Sequence, residues 1–441
     1  MNKAPIIIGR KTSDYDKFGL KGAVLLGKKY IEEDNKYILA DDVYLDLATA
    51  HVMFICGKRG GGKSYTMGVI AEGFSLLTED VKQNLAIILL DTMGVYWTMK
   101  HPNKRQRELL ESYGLRPDSV NVKIYTPRKY YFEYKQKGIP TDVPFSIKAS
   151  QLTGEDWCEA FKLDKYSLSG IFIQDLVSNL REKKEDYLLE DLIDEIKNID
   201  FDLNIKLSVK QMFKVAQSWG VFFKDATDFD ELATGGQVSV LDVSCYATMP
   251  GGWDVKSLVV GMVAKHLFNS RMQSRKEEEH QEIVHKEEFF NQDNENYEKQ
   301  EMPLVWLVID EAHEFLPKDE KLKSVATDPL VIIMREGRQP GISLILATQQ
   351  PGKIHTDVMT QSDIVLSHRI TARIDVDALS LLAQSYMEDG IMKAIDFLPK
   401  ENGAAVCFDD KNEYLFQLKV RPRISWHGGE SPIAIKKGKN D

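Results

Sequence analysis

The sequence predicts an α/β fold with a mostly parallel central sheet, and three observations predict it. Near-continuous apolar runs, His51-Val-Met-Phe-Ile-Cys56 and Leu85-Ala-Ile-Ile-Leu-Leu90, read as strands buried on both faces. Between them, Tyr65 to Leu77 carries apolar residues at helical spacing, so the unit reads strand, helix, strand. The turn joining the first strand to the helix is Gly57-Lys58-Arg59-Gly60-Gly61-Gly62-Lys63-Ser64, which fits the GxxxxGK[ST] phosphate loop.

The remaining elements follow in chain order. Residues 1–48 alternate short apolar runs with turns and read as a small β region. Residues 49–100 and 236–420 form the α/β core, with further buried strands at Val238–Val243, Leu304–Ile309 and Ser343–Ala347 and a helix over Val255–Arg271. Residues 101–235 read as a mainly helical insertion. Its apolar positions recur at helical spacing through Leu168, Ile171, Phe172, Leu176, Leu188, Leu192, Ile196, Met212, Val215 and Trp219. Residues 275–301 are charged and aperiodic, and read as a mobile solvated loop or helix extension. Residues 421–441 are a Pro- and Gly-containing tail with a basic end.

Composition bounds the function. With 441 residues, 43% of them hydrophobic and 28% charged, the chain can bury a large core. Its 57 basic and 67 acidic residues give a net charge of -10, which excludes a protein that coats nucleic acid by bulk positive charge, though not a local basic strip. Cys56, Cys158, Cys245 and Cys407 are far apart, with none of the close pairs that a zinc ribbon needs; they read as buried thiols of a cytoplasmic protein. No apolar run is long enough to span a membrane, so no membrane partner is expected.

The chemistry starts at the phosphate loop. Gly57, Gly60, Gly61 and Gly62 let the backbone of Lys58 and Arg59 curl so that amides face phosphate oxygens. Lys63 supplies a point charge for the β- and γ-phosphates, the Ser64 hydroxyl is a Mg2+ ligand, and the helix that Tyr65 continues adds its amino-terminal dipole. ATP with Mg2+ is the expected cofactor pair. Asp310-Glu311-Ala-His313 follows a buried strand, as a Walker B segment does: Asp310 would hold the metal and Glu311 would orient and deprotonate the attacking water. Ala347-Thr-Gln349-Gln350-Pro ends the next strand and makes Gln349 the candidate sensor of the γ-phosphate, with Gln350 as the adjacent alternative. Arg335 and Arg338 lie between those strands. Either can neutralise charge in a phosphoryl-transfer transition state, and either can equally be an ordinary surface charge.

Together these motifs resemble the HerA/FtsK superfamily, and specifically the HerA-type ATPases. Val43-Tyr-Leu-Asp-Leu47 with His51 is similar to that family's lead-in to the phosphate loop. Asp91-Thr-Met-Gly94-Val-Tyr96-Trp97 is similar to its Asp-Pro-His-Gly-Glu-Tyr segment. Arg335-Glu-Gly-Arg338, Gln349, Ser367-His-Arg369 and Arg421-Pro-Arg423 to Gly429 match its later elements. Val95 stands where the family often has Glu, so no role of that Glu carries over. The resemblance implies a RecA-like P-loop NTPase core with an abbreviated amino-terminal barrel, a homohexameric ring and ATP-driven translocation on double-stranded DNA. It implies that Arg335 or Arg338 acts across the subunit interface and that the tail reaches toward a neighbour's site. DNA-gripping loops are not identifiable by sequence; Lys318, Lys321, Lys323 and Lys353 are candidate contacts, each more simply read as a solvated lysine. The resemblance also implies a nuclease or other effector encoded nearby, in DNA end processing or antiviral defence. The competing reading is a scaffold-type ATPase that assembles and licenses a defence effector with little translocation of its own.

Overall fold

The computed structural model describes residues 5–34, 36–289, 302–380 and 388–429. In chain order the strands are β1 (Ile6–Ile8), β2 (Ala23–Glu33), β3 (Lys36–Asp46), β4 (Val52–Cys56), β5 (Leu85–Asp91), β6 (Val122–Pro127), β7 (Val143–Phe145), β8 (Val238–Asp242), β9 (Leu304–Ile309), β10 (Ile342–Thr348), β11 (Ile364–His368), β12 (Ala404–Asp409) and β13 (Tyr414–Val420). The described residues place them in one 13-stranded sheet, ordered β1-β3-β2-β13-β12-β11-β4-β10-β9-β5-β8-β6-β7. From β11 to β7 every pairing is parallel. On the other side, β11, β12, β13, β2 and β3 pair antiparallel. The amino-terminal β region is therefore an extension of the core sheet, joined through β13.

Strand periodicity sorts the core into two layers. Ile88 and Leu90 pack with Phe54, Leu307 and Leu344 on one face, while Ile87 and Leu89 pack with Met53, Ile55, Ile70 and Phe74 on the other. Because both faces are covered, β5, β8 and β10 are buried along their whole length.

Residues 101–235 hold helices over Leu168–Lys183, Leu189–Glu195 and Leu203–Ser218. Phe172, Leu176, Leu192, Ile196 and Trp219 are buried there, whereas Leu168, Ile171 and Val215 lie on the surface. The same stretch contributes β6 and β7, which lengthen the sheet beyond β8. Helical spacing does not reveal them; β7 is three residues long with Pro144 in its middle, too short for an alternation to register, and the six-residue β6 precedes the helical pattern of that stretch. The helix expected over Val255–Arg271 runs instead over Gly252–Phe289, so the charged run from residue 275 begins as helix. Arg275 pairs at helical spacing with Glu278 (3.2 Å) and Glu279 (3.1 Å), and Arg271 anchors this part of the helix by donating to the Pro340 (2.7 Å) and Met302 (2.6 Å) carbonyls. Residues 290–301 of that segment and 430–441 of the tail lie outside the described residues.

Candidate active site

Parallel α/β sheets bind ligands at the carboxyl ends of their strands, and the sequence-predicted groups converge there. Gly57 to Gly62 leaves the carboxyl end of β4, and the helix Lys63–Ser75 starts directly after Gly62. Gly62 has φ 116°, and a Cβ on it would lie 3.1 Å from the His368 ring; a Cβ on Gly57 would lie 2.7 Å from the His368 Cβ. His368 ends β11 and is the floor of the loop. Its Nδ1 lies 3.1 Å from the Ala404 carbonyl, which can only accept, so Nδ1 carries a proton; its Nε2 lies 2.9 Å from the Thr66 hydroxyl, which also lies 3.0 Å from the Gly62 carbonyl. Burial pushes this imidazole down to about 4, which keeps it neutral beneath a loop built for anions. The Lys63 ammonium is folded onto the carbonyls of Gly57 (3.1 Å) and Lys58 (3.4 Å). Burial lowers it from the ordinary lysine value, and the nearby Asp310 and Glu311 charges oppose that shift.

β10 lies between β4 and β9, so the sensor strand is sandwiched between the phosphate-loop strand and the acidic strand. The Ser64 hydroxyl donates to Asp310 Oδ2 at 2.5 Å. Burial raises the Asp310 carboxyl and the adjacent Glu311 adds to the rise, while the Ser64 hydrogen bond opposes it. These are hard oxygen donors short of positive charge. They fit Mg2+, which takes one or two protein oxygens and completes its shell with water and phosphate. Glu311 sits in the left-handed region at φ 51° and ψ 42°. Its Oε1 accepts from Gln349 Nε2, whereas its buried Oε2 has no hydrogen-bond partner, with His313 Nδ1 3.5 Å away. His313 bridges to the end of β10, with Nδ1 3.0 Å from Thr348 Oγ1 and Nε2 3.1 Å from Gln350 Nε2. Burial and the Lys353 and Lys63 charges lower its imidazole. Gln349 thus contacts the candidate base directly, and Gln350 supports it through His313. The loops after β9 and β10 are also tied together, with the Lys318 amide donating to the Lys353 carbonyl at 2.9 Å. Lys323 pairs with Glu320 at 3.0 Å.

The structure does not bring Arg335 and Arg338 to this chain's own phosphate loop. Arg338 donates to Asp363 at 3.1 Å, and Asp363 bonds His51 and the Val52 amide, all at the amino ends of β11 and β4. The phosphate loop leaves the opposite end of β4, a strand of five residues and so roughly 15 Å long. Arg335, at the end of the helix Thr327–Glu336, donates to Asp357 at 2.5 Å.

Three supports of the site have roles that sequence reasoning did not assign, although Asp91, His368 and the tail arginines lie in segments it quoted. Glu72, on the phosphate-loop helix, is fully buried and takes the tail. It accepts from Arg423 Nε (2.9 Å), Arg421 Nη1 (3.2 Å) and the amides of Ile424 (2.9 Å) and Ser425 (3.0 Å). The described part of the tail is therefore packed on its own chain, and the Arg423 amide donates to the Tyr65 hydroxyl at 2.7 Å. Second, Asp91 accepts from the amides of Gly94 (2.7 Å) and Tyr96 (2.9 Å), which sets Tyr96 against Ser64. Burial and the neighbouring Asp242 push Asp91 up to about 7. Third is the His368 floor. A buried Glu on an otherwise apolar helix and the paired arginines of the tail were the available signal for the first.

Comparison with known proteins bears on the family and the fold. The helicase HerA central-domain family matches residues 40–346. The probable DNA double-strand break repair helicase HerA of Methanocaldococcus jannaschii is 24% identical over 377 residues, covering 79% of this chain and 68% of that protein. The DNA double-strand break repair helicase HerA of Pyrococcus furiosus is 27% identical over 165 residues, 35% of this chain and 28% of that protein. Among solved structures, VirB4 of Thermoanaerobacter pseudethanolicus shares the fold at a TM-score of 0.55, with 13% identity over 91% of this chain and 96% of that one. The bacterial conjugative coupling protein TrwBΔN70 does so at 0.50, with 12% identity over 93% and 97%. Among the described residues no helix is long and apolar enough to cross a membrane. The family match spans β3 to β10 and so takes in the phosphate loop and the Asp310-Glu311 pair together: the chain belongs to the HerA helicase central-domain family, as a P-loop ATPase.

Proposed function

We propose that this chain is the subunit of a homohexameric ring motor that hydrolyses ATP and translocates on double-stranded DNA. It would work with a nuclease or other effector protein encoded nearby, in DNA end processing or antiviral defence. The observation that carries the reading is the Glu311–Gln349 contact two strands from Lys63, with Ser64 and Asp310 bonded between them. Amides of Gly57 to Gly62 and the Lys63 ammonium bind the β- and γ-phosphates. Ser64 and Asp310 would hold Mg2+, which would supply charge neutralisation at the phosphates. Gln349 meets the γ-phosphate and leaves Glu311 free. Glu311 then takes a proton from the water whose oxygen attacks the γ-phosphorus, and the bond to the ADP oxygen breaks. An arginine from the neighbouring subunit, Arg335 or Arg338, neutralises the transition state, since neither reaches its own loop.

The test is ATP turnover with and without duplex DNA. We expect duplex DNA to stimulate the wild type. Lys63→Ala should lose nucleotide binding, and Glu311→Gln should keep binding but lose turnover by roughly 10²- to 10⁴-fold. Turnover that ignores duplex DNA would sink the motor reading and favour an ATPase that only licenses an effector.

A further inference from the structure

The amino edge of the sheet holds a buried charge network that nucleotide chemistry does not use. The Thr49 hydroxyl donates to Asp46 Oδ2 at 2.7 Å, so its oxygen accepts from His51 Nε2, 2.9 Å away. His51 Nδ1 lies 2.8 Å from Asp363 Oδ2. Both ring nitrogens therefore donate, and His51 is an imidazolium between two carboxylates, with Asp46 3.6 Å from Nε2 and itself paired with Arg10 at 2.5 Å. Asp363 has more positive partners than its charge requires. Arg338 Nη2 is 3.1 Å and Lys411 Nζ 3.8 Å from the oxygen that His51 holds, and the Val52 amide donates to the other oxygen at 3.0 Å.

This arrangement makes Arg338 a releasable cation. Its side chain is 68% exposed while that of Asp363 is 8% exposed. If Arg338 leaves, the carboxylate keeps His51, Lys411 and the Val52 amide. Arg335 has no such freedom. Its acceptor Asp357 is mostly buried, and the nearby His355 Nδ1, 3.8 Å away, accepts from the Asp357 amide and so carries no proton there. Departure of Arg335 would strand a carboxylate.

We propose that Asp363 is a positioning residue: it is the resting dock from which Arg338 swings to the nucleotide of a neighbouring copy, with His51 and Lys411 keeping the dock charge-balanced in both states. The inference rests on the reading that an arginine completes the site across the interface, and it selects Arg338 over Arg335.

The test uses the full chain and measures ATP turnover and thermal unfolding. Arg338→Ala should lower kcat by about a hundredfold or more. Its KM for ATP should stay within about twofold and its unfolding temperature should not change. Asp363→Asn weakens the dock and should raise basal turnover about two- to fivefold, the occupancy that a half-exposed ion pair controls. That rise should vanish in the Asp363→Asn, Arg338→Ala double variant. Lys411→Met strengthens the hold of Asp363 on Arg338 and should lower turnover by a similar factor, which keeps the test informative if Asp363→Asn does not fold. Unchanged turnover in the folded dock variants, or an Arg338→Ala protein that loses stability but not turnover, overturns the dock. A fully active Glu311→Gln protein would instead overturn the reading of the site beneath it.

Discussion

Glu311 and Gly62 both adopt backbone conformations that L side chains rarely hold, and both border the candidate nucleotide site. Gly62 can adopt its conformation because it has no Cβ. Gly62→Ala is expected to weaken ATP binding at least tenfold by pushing the loop off His368, with the unfolding temperature little changed; an isothermal titration checks it. His51 gives a stability signature instead. Burial would lower its imidazole, but the hydrogen bond to Asp363 and the nearby Asp46 carboxylate raise it above 6.5. A raised folded value means its stabilisation is complete below pH 6.5 and lost as pH climbs through that raised value. Burial would raise Asp46 and Asp363, but His51 beside both holds them low, so their contribution is lost only in acid. Urea midpoints of the wild type should therefore fall as pH rises from about 6 to about 9, and those of His51→Gln should fall less, keeping only the part due to acids raised by burial, such as Asp91 at about 7. Parallel curves would remove the imidazolium. The loop glycines, Lys63, Asp310 and Gln349 were legible because each belongs to a short string tied to a strand end. The charge of His51 was not, because its partners stand at positions 46 and 363.

At the scale of elements, the tail and the phosphate-loop helix form one unit. Arg421, Arg423 and Ser425 converge on Glu72 two turns from the nucleotide. A Cβ on Gly68 would lie 2.6 Å from the Arg423 guanidinium, so the small residue makes room for the clamp. Removing one partner from a buried ion cluster typically costs about 3–5 kcal/mol. Glu72→Gln should approach that loss in a urea titration, with ATP affinity falling as the helix start loosens; a loss below about 1 kcal/mol would show the cluster to be dispensable. The resemblance sends this tail toward a neighbour, whereas its described part is committed to its own chain. The buried parallel strands were legible from their apolar runs. β7 was not, because an edge strand of three residues takes its identity from the partner it pairs with, and β6 went unread inside a stretch dominated by helical spacing.

For the whole molecule, the decisive fact is a separation. The nucleotide groups gather at the carboxyl edge of the sheet, and both candidate arginines sit at the amino edge on exposed side chains. In the proposed ring, such a subunit would carry half of a site at each end, which suits head-to-tail assembly. The net charge of -10 is compatible with that ring, since DNA contact confined to a pore needs few lysines per subunit. Mixing inactive subunits tests the split site directly. In rings assembled from equal amounts of Glu311→Gln and Arg338→Ala chains, about a quarter of the interfaces join an intact Glu311 to an intact Arg338. Turnover should recover to a measurable fraction of the wild-type rate, although each variant alone is inactive. Mixtures no more active than their components would contradict a site shared between neighbours.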